Sequence, residues 1–462
     1  MVTYRRYWTV FSLLALLIVL TGVLQSWSFA LGLLTVGLIS AVMALGFNIQ
    51  WGYAGQLNAG VMGFAAIGAT ACVLVSMPWV TAEMANTLGS MLADPTGQAE
   101  AIEKLQRDLP RRLDAERQLW LAWLIGGLGA TLAWVVNRLL RGHLSILTRA
   151  SVVVVILGVS LALFNDLFEP AIKVIESTGF GDDSKYLGGL GLPILLAWCV
   201  GGLLAAAAAW LIARIALGLR SDYLAIATLG ISEIVIAILK NEGWLTRGVL
   251  NVTGLPSPVP SVAALRSVPF NLAADASLIV NKLFFVAFIA AFLGFFLWLA
   301  HLALNSPWGR MMRAIRDNEE AANAMGKDVP RRYRQVFILG SFLIGVGGAM
   351  LATNVLQFEP AGYQPLRYTF LIWVMVIAGG SGNNFGAVVG GLLIWFVWIQ
   401  AEPAAAWLFA VVGENLTEEG SDLARVLSER APQMRTLVMG FLLLLVLRFA
   451  PRGLLPEAMQ RK

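Results

Sequence analysis

Apolar residues come in long blocks separated by short polar punctuation along almost the whole chain. Blocks at residues 8–24, 29–47, 61–79, 119–136, 150–164, 190–212, 220–239, 283–304, 337–353 and 435–447 carry few charges and read as helices that cross a bilayer. A longer block, 367–400, is interrupted by Gly379-Gly380-Ser381-Gly382-Asn383-Asn384-Phe385-Gly386 and reads as two further crossings, twelve in all.

Several stretches break this rhythm. Gly55-Gln56-Leu57-Asn58-Ala59-Gly60 is too polar and glycine-rich for a lipid-facing helix. It is either non-helical backbone buried at membrane depth or a short loop at the surface. Residues 81–118 carry both signs of charge, with a helix expected over 98–117, and read as an extramembrane insert. Residues 165–187, with Asp182 and Asp183, and residues 401–434 read as loops. Glu233 lies about a dozen residues inside an apolar block, where a carboxylate is costly in lipid. It either lies near a translocation path or holds the bundle together as an interhelical hydrogen-bond partner.

The longest strongly charged stretch is 305–335. Met311, Ile315, Ala322, Met325 and Val329 repeat at helical spacing, so the stretch reads as a short amphipathic helix pair on a membrane surface. Asn305 or Ser306 can cap its start, Pro307 suits an early helical position, and Gly326 can end its first half. Arg313 with Asp317, and Arg316 with Glu320, stand four residues apart, where opposite charges on one helix meet.

Composition fixes the class. Hydrophobic residues make up 58% and charged residues 13% of the chain, and the mean hydropathy is +0.74, outside the soluble globular range. The net charge of +5 gathers in a few short loops, which argues for a lipid bilayer as partner and against nucleic acid. Cys72 and Cys199 lie in apolar blocks, and His143 and His301 near block ends, so no metal site is expected. No phosphate-cradling Gly-Lys-Ser sequence and no nucleophile with a base is present, so no catalytic residue and no cofactor is expected in this chain. The first block lacks a small-residue cleavage site after it and is expected to be retained as a helix. Twelve crossings put Arg5, Arg138, Arg220, Arg310–Arg334 and Arg448 on one side, which by the positive-inside bias is cytoplasmic, together with both termini.

Four motifs and the C-terminal tail carry a family resemblance. Glu320-Ala321-Ala322 followed after three residues by Gly326, within SPWGRMMRAIRDNEEAANAMG, resembles the coupling loop of permease subunits of ATP-binding-cassette importers, in the LivM-type branched-chain amino-acid version. GYAGQLNAGVMGFAAIGA, RSDYLAIATLGISEIV and the break at 379–386 are similar to the same family, as is the tail ending in PRGLLP. The tail of the loop departs from the general pattern, since no proline follows Val336 and Ile338, and only Thr253-Gly254-Leu255 remains of a longer glycine-rich element.

The resemblance implies an all-α polytopic transmembrane helix bundle of about 10–12 helices, of ABC importer permease type. It would be one permease domain over 1–462, with the insert at 81–118 and a cytoplasmic coupling loop at 305–335. Arg316, Glu319, Glu320, Ala321, Ala322 and Gly326 would contact the ATPase, while Gly55, Gln56, Asn58, Thr228, Glu233, Gly380 and Gly382 are candidates for the translocation path. The implied partners are a second permease subunit in a heterodimer, two ATPase subunits and an extracytoplasmic substrate-binding protein, in a bacterial inner membrane. The implied cargo is a branched-chain amino acid or similar small polar solute. A urea or short-amide permease of the same subfamily, an ion-coupled secondary carrier and a membrane scaffold or receptor are the alternatives.

Overall fold

The structure, a computed structural model, describes residues 2–77, 88–89, 99–140, 145–177, 189–242, 251–267, 272–414 and 429–457. Its long helices are α1 (Val2–Leu24), α2 (Trp27–Ala54), α3 (Val61–Ser76), α4 (Ala99–Leu139), α5 (Ile146–Ser177), α6 (Ile194–Ala216) and α7 (Ser221–Asn241). Then come the short α8 (Val262–Arg266), α9 (Ala274–Asn305), α10 (Pro307–Asp317), α11 (Glu319–Ala324) and α12 (Val329–Val355). The chain closes with α13 (Pro365–Gly379), α14 (Asn384–Glu414) and α15 (Met434–Phe449). Among the described residues ten helices are long and apolar enough to cross a membrane, against twelve expected crossings, and α3 and α13 are shorter apolar helices. The only described strands, β1 (Val252–Thr253) and β2 (Gln357–Phe358), pair antiparallel with Val252 opposite Phe358.

Burial separates the centre of the bundle from its rim. The apolar windows of α2 and α12 are 72% and 78% buried, against 6% for α15, so the first two form the core and the last faces outward. A helix that is apolar all round can be buried on every side, and α2 is buried at nearly every position from Gly37 to Gln50. α12 packs against α2, α3 and α6. Between membrane helices the hydrophobic effect supplies little, so close backbone packing and hydrogen bonds must hold them together. Both occur here. A methyl group added at Gly348 would run into the Ala65 carbonyl, and one at Gly68 into the Gly345 carbonyl. Trp198 donates to the Thr353 hydroxyl at 2.9 Å, and that hydroxyl donates to the Ala349 carbonyl at 2.8 Å.

Three expected boundaries are corrected. The helix expected over 98–117 and the crossing over 119–136 are one helix, α4, of 41 residues. At ~1.5 Å per residue it spans about 62 Å, twice the hydrocarbon thickness of a bilayer. Residues 165–177 are helix rather than loop, because α5 runs through Pro170 beside α4. Trp123 packs edge-on against Phe164 at 5.4 Å, and the Arg112 guanidinium donates to the Ile175 carbonyl at 3.3 Å, so side chains of the partner helix hold the extension. Likewise 401–414 continues α14 through Pro403, with the Arg435 guanidinium paired to Glu402. Prolines and scattered charges imitate loop composition, while membrane helices tolerate both when neighbours answer the freed groups. His143, Asp182, Asp183 and residues 81–87, 90–98 and 415–428 lie outside the described residues.

The α3–α12 crossing predicts that Gly348→Ala costs about 1–3 kcal/mol through overpacking, read as a lowered melting temperature in detergent. Gly294→Ala, which meets nothing within 4 Å, is expected to leave it unchanged. Equal melting of both variants would refute the close approach.

Candidate functional site

α10 and α11 form a short elbow at one end of the bundle. Ser306 caps α10 by accepting from the Gly309 amide at 3.4 Å, and Pro307 occupies the first turn, as expected. The elbow bends at Asn318, not at Gly326. Asn318 ends α10 and its side chain accepts from the Ala321 amide at 2.9 Å to start α11. Gly326, with φ at +75°, ends α11 in the left-handed conformation that favours glycine.

The bend resets the helical phase. Met312, Ile315, Ala322 and Val329 are buried, Met311 is partly buried, and Met325 is 79% exposed rather than on the inner face. The expected ion pairs do not form, Arg316–Glu320 because the bend intervenes and Arg313–Asp317, although both residues lie in α10, because Arg313 turns to Glu457. Arg316 does not meet Glu320, which begins a helix on a different axis, and Arg313 does not meet Asp317. Both arginines turn to Glu457 in the C-terminal segment, Arg316 at 3.0 Å and Arg313 at 3.6 Å. Arg316 also donates to the Gly52 carbonyl and reaches Asp317 at 3.3 Å, and Arg313 donates to the Leu304 carbonyl at 3.1 Å. Glu319 accepts from the Tyr333 hydroxyl at 3.1 Å. Glu320 and Ala321 are exposed, and Glu320 has no hydrogen bond or ion pair among the described residues.

Arg316 thereby joins the elbow to the point where α2 unwinds. Gly55, with φ at +68°, ends α2, and the chain stays non-helical to Gly60 while remaining largely buried. The segment is thus buried in protein beside the elbow, whose Arg316 donates to the Gly52 carbonyl. Asn58, fully buried, accepts from the Gly60 amide at 2.8 Å and donates to Gln50 at 2.9 Å. Gln50 donates in turn to the Phe337 carbonyl at 2.9 Å and to Ser341 at 3.1 Å. Thr228 of α7 accepts from the Ala59 amide at 2.9 Å, and Trp373 of α13 donates to the Asn58 carbonyl at 3.2 Å. Gln56 is 4% exposed, and neither of its amide atoms has a partner among the described residues.

The second glycine break lies beside the first. Gly380 and Gly382 have φ of +116° and +80°. The Gly382 amide donates to Asn48 at 2.8 Å, and Asn48 donates to Asn384, which also accepts from the Tyr53 hydroxyl. Leu454 and Leu455 donate to the carbonyls of Ala378 and Gly379 at 2.8 Å, which seats the C-terminal segment under the break and presents Glu457 to the arginines. Gly55, Gly380, Gly382 and Arg316 therefore belong to one polar knot, with Asn58 and Thr228 on its flank.

Glu233 stands apart. It is exposed on the outer face of α7, on a stripe with Tyr223, Ile226 and Ile234, and has no partner among the described residues. The interhelical-bond reading therefore finds no partner among the described residues. Asn48, Gln50, Tyr53, Asn384 and Glu457 were missed. Asn48 and Gln50 were visible as amides two residues apart closing an apolar block, and Glu457 as an acid in a basic tail. Among the described residues no group of three or more His, Cys, Asp or Glu could hold a metal.

A family model, branched-chain amino acid transport system / permease component, matches residues 29–183 and 175–447. The chain is 26% identical over 239 residues to the probable branched-chain amino acid transport permease protein LivM of Methanocaldococcus jannaschii, covering 52% of this chain and 61% of that relative. It is 27% identical over 333 residues to the high-affinity branched-chain amino acid transport system permease protein LivM of Escherichia coli, covering 68% and 70% of the two chains. A shorter likeness, 27% over 110 residues, links it to the xylose transport system permease protein XylH of Haemophilus influenzae, covering 23% and 28%. No solved structure gives a significant match.

The knot predicts non-additivity. Glu457→Gln and Arg316→Ala are each expected to lower thermal stability in detergent, and the double variant to lose less than the sum by about 1 kcal/mol. Additivity within roughly 0.5 kcal/mol would mean the two residues do not interact.

Proposed function

The chain belongs to the branched-chain amino acid transport system permease family, and from that premise we propose that it is the LivM-type membrane subunit of an ATP-binding-cassette importer. Its cargo is a branched-chain amino acid or a similar small polar solute. The observation that carries the reading is the α10–α11 elbow, which leaves Glu320 and Ala321 outward and unpaired while Arg316 ties its inner side to α2. An exposed, charged elbow with a rigid tether is what a docking ATPase subunit needs to move a membrane core. On this reading Glu319, Glu320 and Ala321 meet the ATPase, while Ala322, buried against the bundle, seats α11, and Gly326 and Arg316 set the elbow's shape. Two ATPase subunits hydrolyse the nucleotide, and closure between them pulls the elbow. The Arg316–Glu457 pair and the Gly52 contact pass that displacement to α2 and the Gly55–Gly60 segment, changing which side of the membrane the path opens to.

The second permease subunit is inferred from α7. A carboxylate facing lipid near the middle of a bilayer costs at least about 2.5 kcal/mol. Glu233 thus calls for a protein or a wet path opposite it, and the exposed stripe around it offers a face for the heterodimer partner. Basic residues at the elbow end support a cytoplasmic placement for both termini and for the 305–335 loop, in a bacterial inner membrane. The opposite side then carries the 81–118 insert and receives an extracytoplasmic substrate-binding protein. The relatives' names, for branched-chain amino acids and for xylose, do not favour a urea or amide permease, an ion-coupled carrier or a scaffold.

A pull-down from detergent extracts with mass spectrometry tests the coupling assignment. Wild type is expected to bring down a second permease and ATPase subunits, and Glu320→Lys to keep the first and lose the second. Retention of the ATPase subunits by Glu320→Lys would remove the elbow from the docking surface. Glu233→Gln is expected to preserve expression and pairing, since a neutral hydrogen-bonding group can remain in a wet path. A sharp fall in expression would instead place a buried cation opposite Glu233.

A further inference from the structure

Residues 450–457, which carry the PRGLLP sequence, follow an outward-facing helix, yet they turn back into the bundle. Gly453 and Leu455 are buried. Gly453, with φ at +76°, makes the turn, and its amide donates to the Ala450 carbonyl at 2.7 Å. A methyl group added at Gly453 would run into the Gly380 backbone, and one added at Gly380 into the Leu455 carbonyl. Tail and glycine break are therefore pressed backbone to backbone, which the absence of a Cβ at both glycines permits. Leu455 also packs with Leu14 of α1 and Val389 of α14 in a small apolar cluster of its own.

The tail straddles the break between α13 and α14. On one side Leu454 and Leu455 donate to the Ala378 and Gly379 carbonyls at the end of α13. On the other, Asn383, just before α14, donates to the Leu455 carbonyl at 3.0 Å and to the Tyr7 hydroxyl of α1 at 2.7 Å. Between these attachments stand Gly380 and Gly382, whose conformations favour glycine, and such positions absorb the dihedral changes of a hinge. The far end of the tail meets the elbow. A methyl group at Gly382 would come within 2.8 Å of the Glu457 carboxylate and 3.1 Å of the Arg316 guanidinium, so the ion pair that holds the elbow rests on the hinge itself. Only two residues lead from Leu455 to Glu457, a reach of at most about 7 Å, which leaves little slack. We propose that residues 450–457 are a coupling strap through which displacement of the elbow changes the angle between α13 and α14. This route is separate from the Arg316–Gly52 contact to α2, and it also reaches the unwound segment, because Trp373 of α13 donates to the Asn58 carbonyl. The inference rests on the importer reading and adds Gly453, Leu455 and Glu457 to it as positioning residues for a second moving joint.

The test measures ATP hydrolysis and uptake of radiolabelled leucine in the same vesicles, which hold both permease subunits and the ATPase subunits, with loaded substrate-binding protein outside. Gly453→Ala lifts the strap off Gly380 and leaves the exposed face of the elbow as it is. Leu455→Ala, a milder change, loosens the strap's buried anchor. Both are expected to retain the ATPase subunits in a pull-down. Leucine taken up per ATP hydrolysed is expected to fall by roughly fivefold or more in Gly453→Ala, and by less in Leu455→Ala. Gly440→Ala in α15, which meets nothing within 4 Å, is expected to keep the wild-type ratio. A tail that only clasps the fold would lower uptake and hydrolysis in proportion. An unchanged ratio in the strap variants, or failure of both to assemble, therefore makes the tail a structural clasp and overturns the proposal. Wild-type uptake with an unchanged ratio in the variants sinks the strap alone, whereas absence of ATP-driven uptake by wild type sinks the importer reading and the strap with it.

Discussion

The backbone leaves helical geometry between Ala54 and Val61 inside an apolar bundle, and the polar chemistry of the molecule is arranged around that demand. An amide or carbonyl buried without a partner costs about 1–3 kcal/mol, and lipid offers none. Asn58 accepts from the Gly60 amide, Thr228 from the Ala59 amide, and Trp373 donates to the Asn58 carbonyl. Each lies on a different part of the fold, so the unwound segment binds α2, α7 and α13 to one another. Gln50 continues the chain of bonds into α12 through Phe337 and Ser341. Helices that apolar packing alone would hold loosely are fixed in register by this network.

The glycine break at 379–386 makes the same demand, and Asn48, Tyr53 and Asn384 answer it from beside the first. The C-terminal segment completes the arrangement by adding backbone bonds to Ala378 and Gly379 and offering Glu457 to two arginines. α10 therefore rests on charge-assisted hydrogen bonds as well as on Met312 and Ile315. Directional bonds of this kind transmit displacement, whereas an apolar contact can slide. In the proposed cycle that property makes the elbow a lever on α2.

The polytopic bundle was legible because its helices are blocks of apolar residues with their own polar ends, and ten of the described helices are long and apolar enough to cross a bilayer. The elbow was legible as an amphipathic pair with the right cap. Its bend was not, because Asn318 and Gly326 are both good helix terminators, and spacing alone does not choose between them. The Arg316–Glu320 pair failed for the same reason, since a kink at Asn318 places Glu320 on another axis, while the Arg313–Asp317 pair failed within α10 because Arg313 turns to Glu457. Glu457 could not be paired from sequence, because more than 130 positions separate it from Arg316. Helices α4, α5 and α14 ran past their expected ends where Pro170, Pro403 and mixed charges imitate loops, and only contacts with a neighbouring helix decide otherwise. Glu233 was recognised as costly in lipid, but which way its side chain faces depends on how α7 packs.

On the importer reading this chain supplies a path and no energy source of its own. The most direct test is solute uptake into vesicles holding the chain and its permease partner, with and without the ATPase subunits and internal ATP, while the loaded substrate-binding protein is present outside. Uptake is expected only when the ATPase subunits and ATP are both present. Uptake driven by an ion gradient with the ATPase subunits absent would contradict it and make the chain a carrier in its own right.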